Sequence, residues 1–505
     1  MTHRRLVRLL ALGMALVAGA CSNAPVADPG PGRSPSFAFR ACPDLADWDA
    51  MNLPGDRRQS LEVRCATLTV PVDHTQPARG TLDMAVMRVR AADQDDRIGS
   101  LVLNPGGPGL SGLDFMPWWA SWLPDELLAR FDLVTFDPRG TGKSSPVRCR
   151  ELPDGLGTAP LPSLLTAAGR AAATRLLQAR SRACLEALGD RASLFSTDAT
   201  ARDLDLLRAA LGDRVLTFVG WSYGARLGAH YAHLFPDRAR ALVLDGPPDP
   251  QARRNTIVES QIAGFEDALA TYAAQCRGRA SCASIGDPAE LLDRVVRTAR
   301  ATPIRSGRPA GDPPATWDVV LRSVLGFLAA PESWPHLDAA LDEAAGGDSG
   351  SLYDMIDSLE GKTPAHPDAD SDHAATVIQC NDTARDPAPD GMRAEVTRLA
   401  RLYSRLGELG SWWLFACSYW TVPHPTLPAP ASATTAPILV VGTRADPSTP
   451  FSGAAAMARV IGPSAVLLTS SGAGHTAFGR SPCVGEQVTR YLVDLVRPPQ
   501  GTVCP

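Results

Sequence analysis

The chain has 505 residues, of which 45% are hydrophobic and 20% are charged. That length allows roughly two to four domain-sized units and a large buried core. The formal net charge of -5 leaves no basic surface for DNA or RNA, so we expect a small soluble substrate and no nucleic acid partner.

The first residues have the pattern of an export signal. Arg4, Arg5 and Arg8 precede about a dozen apolar residues, and small residues and Cys21 follow. We therefore predict a signal peptide at residues 1–20 and export from the cytoplasm. The signal resembles that of a bacterial lipoprotein, in which Cys21 would become the lipidated first residue and anchor the chain to the membrane. A short uncleaved membrane anchor is the alternative.

A tether and then a core of strands should follow the signal. Residues 21–38 are rich in Pro, Gly and Ser and offer little to pack, so ordered structure should begin near Phe37. Residues 39–250 form the first part of the predicted core, with the strands CATLTVPV, LDMAVMRVRA, GSLVLNPGG, FDLVTFDPRG, VLTFVGWS and ARALVLDGPP. The last four are apolar on both faces, which is typical of a parallel sheet covered by helices on both sides. The predicted fold class is α/β.

The cysteines indicate disulfides. Ten remain when Cys21 is set aside, and an even number in an exported chain favours disulfide bonds. A zinc site is the alternative, but the sequence has no CxxC pair and its histidines are scattered, so we expect no metal. Along the chain the cysteines lie in pairs of near neighbours. We therefore expect pairing in chain order: Cys42–Cys65, Cys149–Cys184, Cys276–Cys282, Cys380–Cys417 and Cys483–Cys504.

The stretch GTGKSS at residues 140–145 resembles a phosphate-binding loop. The full pattern, however, requires Gly where Asp137 stands, and the helix expected next is missing. We therefore interpret FDPRGTGKS as a structural turn at the end of a strand, held together by Asp137 and Arg139.

The stretch VLTFVGWSYGAR at residues 215–226 matches the nucleophile-elbow pattern G-x-S-x-G between a strand and a helix. Gly220 and Gly224 leave room for a sharp turn, and Ser222 would be held with its hydroxyl exposed. A short polar break between two packed elements is the alternative, because glycine is common in this chain.

A nucleophilic serine needs a base and an acid that orients the base. In the chain order Ser, Asp, His both lie downstream. Asp446 follows the strand-like run ILVVGTRAD, and His475 ends the run LLTSSGAGH. We predict Asp446 as the acid and His475 as the base, because both fall in loops just past strands.

The oxyanion of the reaction needs two N–H donors. One should be the backbone N–H of Tyr223, directly after the nucleophile. The other should come from LNPGGPGLSG, where Pro105 and Pro108 have no N–H, and we predict Gly107 rather than Gly106.

The later part of the chain changes from strands to helices and back. Residues 251–436 contain helical stretches, such as IVESQIAGFEDALATYAAQC and TWDVVLRSVLGFLAA, between polar loops. We expect this inserted block to form a cap over the strand ends. Residues 437–505 then complete the core with two more strands and the terminal helix GEQVTRYLVDLV.

The motifs NPGGPG, DPRGTGKS, GWSYG, RADPSTP and GAGH together resemble the α/β-hydrolase serine exopeptidases of the tripeptidyl aminopeptidase type, relatives of the prolyl aminopeptidases. The resemblance implies an α/β-hydrolase fold and an exported serine hydrolase, without cofactor, that removes short peptides from free N-termini. It also implies the roles given above for Ser222, Asp446 and His475. Prolyl aminopeptidases usually have His where this chain has Pro105, so the chain looks closer to the tripeptidyl branch.

An aminopeptidase must bind the cationic amine of its substrate, and a buried carboxylate can do so. The stretch VIQCNDTARD offers Asn381 and Asp382 beside Cys380, and we expect these two residues to contact the amine. A turn is the ordinary role of Asn and Asp in a loop.

Two other functions remain open. A carboxylesterase or lipase would use the same triad, because the fold does not choose between esters and peptides. A surface-anchored binding protein without catalysis is the more distant alternative. The sequence does not determine the oligomeric state.

Overall fold

The strands in the described part of the chain join in one mixed sheet. The structure, a computed structural model, describes residues 37–43, 48, 55–92, 94, 96–152, 160–309, 311–360, 371–383, 389–422, 427–434 and 436–505. Within these residues the strands are β1 (Leu61–Pro71), β2 (Thr81–Ala91), β3 (Gly99–Asn104), β4 (Phe131–Phe136), β5 (Leu216–Trp221), β6 (Ala239–Asp245), β7 (Ile438–Ala445), β8 (Ala465–Ala473) and β9 (Val503–Cys504). Their order across the sheet is β1-β2-β4-β3-β5-β6-β7-β8-β9.

Most of the sheet is parallel. β1 pairs with β2 and β2 with β4 in antiparallel register, whereas every pair from β4 through β3, β5, β6, β7 and β8 to β9 is parallel. The carboxyl ends of the parallel strands therefore share one edge, and loops at this edge of an open α/β sheet commonly form the ligand site.

The central strands are buried on both faces, as their continuous apolar runs predict. Every residue of β3, β4 and β5 is buried. Alternate side chains enter different cores: Leu101 and Leu103 pack in one hydrophobic cluster, and Val102 packs in another on the opposite face. The predicted α/β class with a mostly parallel sheet is confirmed.

The helices cover both faces and fill the long connection from β6 to β7. The α-helices are α1 (Gly55–Ser60), α2 (Gly112–Trp122), α3 (Asp125–Arg130), α4 (Ala167–Leu188), α5 (Thr197–Ala210), α6 (Tyr223–Leu234), α7 (Arg254–Ala274), α8 (Pro288–Ala301), α9 (Trp317–Leu328), α10 (Trp334–Ala345), α11 (Gly350–Glu360), α12 (Ser371–Asp382), α13 (Met392–Leu402), α14 (Gly407–Phe415), α15 (Phe451–Ile461) and α16 (Pro482–Asp494). Short 3-10 turns lie at Pro77–Arg79, Gly189–Leu194, Pro236–Arg238, Cys276–Gly278, Ala280–Cys282, Pro331–Ser333 and Pro389–Gly391.

The helices between β6 and β7 have a hydrophobic core of their own. Buried side chains of α7 to α11, α13 and α14 form one cluster that contains no residue of the sheet. We call these helices the cap. The cap contacts the loops at the carboxyl edge: Gln261 Nε2 of α7 donates to Ser448 O at 2.9 Å, just beyond β7.

Packing does not follow chain order throughout. Leu164, Leu176 and Leu177, which precede β5, belong to the cap core. Conversely, Val377 of α12 and Trp420, which lie between β6 and β7, pack with the sheet and α6. The predicted segments 39–250, 251–436 and 437–505 therefore follow the order of the chain. The core of the cap, however, includes side chains from the first segment, and the core around the sheet includes side chains from the second.

The cysteines pair as their order along the chain predicts. The disulfides are Cys42–Cys65, Cys149–Cys184, Cys276–Cys282, Cys380–Cys417 and Cys483–Cys504. The predicted signal peptide, Cys21 and most of the tether lie outside the described residues. Within the residues that are described, no helix combines the length and the apolar character needed to cross a membrane.

Candidate active site

The turn between β5 and α6 holds Ser222 in a strained conformation. Ser222 has φ 57° and ψ -121°, which costs a non-glycine residue about 1–3 kcal/mol. The flanking glycines permit this turn. A Cβ at Gly220 would lie 2.2 Å from Gly224 O, and a Cβ at Gly224 would lie 2.6 Å from Asn104 O. The strand-turn-helix geometry of a nucleophile elbow is therefore present, with Ser222 partly exposed at its apex.

His475 and Asp446 form a hydrogen-bonded pair at the same edge of the sheet. Asp446 directly follows β7, and His475 comes two residues after β8. The imidazole Nδ1 lies 3.1 Å from Asp446 Oδ1 and 3.0 Å from Oδ2. Because a carboxylate only accepts, this contact assigns the proton to Nδ1 and leaves Nε2 as an acceptor. The pair has the orientation that a general base and its acid require.

Thr449, which is not among the residues predicted from the sequence, contacts both members of this pair. Its Oγ1 donates to Asp446 Oδ2 at 2.9 Å and lies 3.2 Å from His475 Nδ1. Its N–H and that of Ser448 also donate to Asp446 Oδ1. The stretch DPST indicates such a turn, because Asp often accepts from the N–H groups two and three residues later. These bonds hold the Asp446 carboxylate in one orientation.

Asp245, at the end of β6, contacts both the turn that carries Ser222 and the loop of residues 474–480 that carries His475. We call these segments the nucleophile turn and the base loop. Its backbone oxygen accepts from Ser222 N at 2.8 Å. Its carboxylate accepts from Ala477 N and Phe478 N, at 3.0 and 2.7 Å. Burial and, to a smaller extent, the nearby Asp446 carboxylate together raise the pKa of Asp245 to about 7. Asp245 is not among the site residues predicted from the sequence, although an acid that ends the apolar run ALVLD indicates a polar side chain at the edge of the sheet.

The turn of Ser222 and the loop of His475 contact each other through Trp221 and Phe478. Within the described part of the chain, no hydrogen bond joins Ser222 Oγ to His475 Nε2. Hydrogen bonds of this kind are often long until a substrate is bound. Aromatic packing also connects their loops, since the Trp221 and Phe478 rings stack with centroids 5.9 Å apart.

The glycine loop after β3 lies against the nucleophile turn. A Cβ at Gly106 would be 3.0 Å from Tyr223 N, so only glycine fits at this position. The Gly106 N–H donates to Asn104 Oδ1 at 3.2 Å and is therefore engaged. Gly107 is exposed, and neither its N–H nor that of Tyr223 has an acceptor among the described residues. These two free N–H groups are the ones that the sequence predicts for the oxyanion.

Asn381 and Asp382 lie in the interior instead of an open site. They are 2% and 5% exposed. The Asn381 amide donates to Ala192 O and Phe195 O, while Asp382 accepts from the N–H and the hydroxyl of Thr197. Burial raises the pKa of Asp382, which disfavours the anion that would bind an amine. The geometry gives both side chains a packing role and does not support their predicted contact with a substrate amine.

The other ligand sites weighed from the sequence are a phosphate loop and a metal site. Asp137 accepts from Ser111 Oγ, Leu113 N and Lys143 N, and Arg139 pairs with the buried Asp203 at 2.7 Å. The stretch FDPRGTGKS is thus a structural turn, as predicted. No group of three or more His, Cys, Asp or Glu side chains in the described ranges is arranged to hold a metal ion.

A segment of the cap is bonded directly to the base loop. The backbone N–H of His475 donates to Ala329 O, just after α9, at 2.7 Å. Arg480 donates to the carbonyls of Ala329 and His475 and to Glu332 of the cap. The position of the imidazole is therefore set by the cap as well as by the sheet.

A family model for the α/β-hydrolase fold matches residues 99–482. The chain belongs to the α/β-hydrolase family. This α/β-hydrolase is similar to the serine protease Hip1 of Mycobacterium tuberculosis, with 34% identity over 461 residues that cover 87% of each chain. It is also similar to a carboxylesterase B of the same organism, 32% identical over 508 residues, or 98% of this chain and 96% of that one. A tripeptidyl aminopeptidase of Streptomyces lividans is 28% identical over 477 residues, or 90% and 86% of the two chains. The chain is thus a hydrolase.

Proposed function

We propose that the protein is an exported serine peptidase that releases short peptides from the free N-termini of peptide substrates. The observation that carries the proposal is the pairing of His475 with Asp446 at the edge where Ser222 stands in its strained turn. The relatives named as a serine protease and a tripeptidyl aminopeptidase support a peptide substrate.

In the proposed mechanism, His475 Nε2 accepts the proton of the Ser222 hydroxyl while Oγ attacks the peptide carbonyl. Asp446 holds the other imidazole proton on Nδ1 and stabilises the imidazolium that forms. The N–H groups of Gly107 and Tyr223 donate to the oxyanion. The imidazolium then protonates the leaving amine, and a water molecule activated by the same base hydrolyses the acyl-enzyme. These steps require neither a metal nor a cofactor.

We also propose export and attachment to the membrane through Cys21. The sequence of residues 1–20 supports a signal peptide. Five disulfides within residues 42–504 support an oxidising compartment, because cytosolic proteins are usually kept reduced. Metabolic labelling with a fatty acid analogue tests the anchor: incorporation should be lost in Cys21→Ala. Equal incorporation in that variant would contradict the proposal.

A carboxylesterase is the second candidate, since a relative that spans nearly the whole chain bears that name. A substrate panel separates the two functions: unblocked tripeptide amides, the same peptides acetylated at the N-terminus, and short acyl esters. An aminopeptidase should cleave the unblocked peptides much faster than the acetylated ones. Turnover of the esters alone would favour the carboxylesterase.

The nucleophile is tested with a fluorophosphonate probe, which labels activated serines. Labelling should be lost in Ser222→Ala. Ser145→Ala is a matched control, because Ser145 also has a positive φ, of 46°, at a strand-end turn outside the site. Labelling that persists in Ser222→Ala, or is lost equally in both variants, would contradict the assignment.

A further inference from the structure

Asp245 is a buried carboxylate without a cation. It is 0% exposed, and no Lys, Arg or His forms an ion pair with it among the described residues. The charged groups near it are Asp446, which repels its charge, and His475, which attracts it. A buried carboxylate without an ion pair costs free energy, and here the backbone N–H groups of Ala477 and Phe478 compensate for that cost.

Two acidic side chains at neighbouring strand ends contact different parts of the base loop. Asp446 bonds the imidazole itself. The Asp245 carboxylate does not reach the ring and instead accepts from the backbone N–H groups of Ala477 and Phe478, two and three residues after His475. Asp245 is therefore not a second acid of the His475 imidazole.

The backbone of Asp245 is fixed to the nucleophile at the same time. Its carbonyl accepts from Ser222 N within the parallel pair of β5 and β6, where Asp245 is in register with Trp221. Trp221 supports the same connection, since its Nε1 donates to Phe478 O at 3.3 Å. A single residue thus joins the Ser222 turn through its main chain and the loop of His475 through its side chain.

We propose that Asp245 is a positioning residue that holds the loop of His475 in register with Ser222. This inference rests on the proposed function, because it requires that the two residues react together. A carboxylate suits the task, since Oδ2 accepts both N–H groups and Oδ1 offers a second acceptor to that of Ala477. The expected effect is large, because a displacement of about 1 Å between reacting groups can lower a rate on the order of a hundredfold.

The test is Asp245→Asn in the full chain, assayed by hydrolysis of p-nitrophenyl butyrate and by the rate of fluorophosphonate labelling. An amide keeps one acceptor oxygen but places an N–H₂ donor where Asp245 Oδ1 lies 3.1 Å from Ala477 N, so two donors oppose each other there. We expect kcat to fall roughly 10- to 100-fold with KM within about threefold of the original value, and labelling to slow by the same factor. A structural defect alone would reduce the fraction of active enzyme and with it the final extent of fluorophosphonate labelling, whereas a positioning defect slows the labelling of a full complement of sites.

Asp132→Asn is the matched control. Asp132 is another buried aspartate of the same sheet, 3% exposed, but it lies near the amino end of β4 and pairs with Arg97. We expect Asp132→Asn to keep kcat within about twofold, since the reacting groups do not move. Folded Asp245→Asn with the kcat of the wild type would overturn the proposal, as would an equal loss of kcat in Asp132→Asn.

Two further outcomes are decisive. If Asp245→Asn does not fold, Asp245→Ser is measured, because serine can accept one of the two N–H groups. If neither variant folds, Asp245 acts in folding and the positioning role is overturned. Failure of the proposed function looks different: the wild type itself would not be labelled, or labelling would survive in Ser222→Ala.

Discussion

Ser222 shows how much of this site depends on the small size of its neighbours. The backbone at Ser222 has a positive φ, and the chain passes close to itself on both sides of the turn. Glycine at positions 220 and 224 removes the Cβ atoms that would collide with backbone oxygens. The strain is kept where the reacting hydroxyl must be presented, as is common at functional sites.

Gly220→Ala should therefore abolish labelling and lower stability. The added Cβ would lie 2.2 Å from Gly224 O and 2.7 Å from the Phe218 ring, so we expect a loss of about 3 kcal/mol or more in the free energy of unfolding. Gly485→Ala is the control, because this glycine lies within α16 with no atom within 4 Å of the added Cβ. The control should be neutral or stabilised by up to about 1 kcal/mol. Thermal unfolding and labelling rates check both variants, and normal labelling of Gly220→Ala would contradict the expectation.

The loop from Gly474 to Arg480 is held by three elements. β6 holds it through Asp245, β5 holds it through Trp221, and the cap holds it through Ala329. The loop follows β8, so its position depends on contacts with segments more than a hundred residues away. Movement of the cap would therefore be transmitted directly to the imidazole.

Arg480→Ala tests the link between the cap and the loop. The substitution removes bonds to the carbonyls of Ala329 and His475 and to the exposed Glu332. We expect kcat to fall by about three- to tenfold, which corresponds to roughly 1 kcal/mol for a hydrogen bond, with little change in melting temperature. Arg490→Ala, an exposed arginine of α16, should have the activity of the wild type. Equal activity of the two variants in steady-state kinetics would rule out the link.

The stability of the whole molecule should depend on pH through Asp245. Burial and Asp446 raise the pKa of this carboxyl from 3.8 to about 7, so the folded protein holds a proton that the unfolded chain releases. Between those pH values the free energy of unfolding falls as the pH rises. Asn at position 245 carries no such proton. From pH 4.5 to pH 7.5 the free energy of unfolding of the wild type should therefore fall by about a few kcal/mol relative to that of Asp245→Asn. The melting temperature of the wild type should fall relative to that of the variant over the same range. Parallel melting curves across this range would contradict the raised pKa.

The disulfides should contribute unequally to global stability. Cys380–Cys417 joins residues 37 apart and connects α12, which packs with the sheet, to the segment after α14, whereas Cys276–Cys282 joins residues only 6 apart. Closing a longer loop restricts the unfolded chain more, so removal of the two bridges should cost about 4 and about 2 kcal/mol. Denaturation of the two double Cys→Ser variants measures the difference. A larger loss for the shorter loop would show that native contacts dominate.

Local patterns were sufficient for much of the site. The elbow around Ser222 and the strands that precede Asp446 and His475 are read from spacing within about ten residues, because a sharp turn and a buried strand each impose their own residue types. The order of the cysteines likewise predicted all five bridges, since neighbouring cysteines had the shortest loops to close.

Only the tertiary structure decided the roles that depend on distant contacts. Asn381 and Asp382 have the composition of a binding loop, but α12 packs against the sheet and buries them. Asp245 and Thr449 gain their significance from a loop or a side chain far along the sequence. The pattern of residues determines whether a segment turns or forms a strand, whereas burial and hydrogen-bond partners arise when separate segments meet, and no spacing within one segment specifies that meeting.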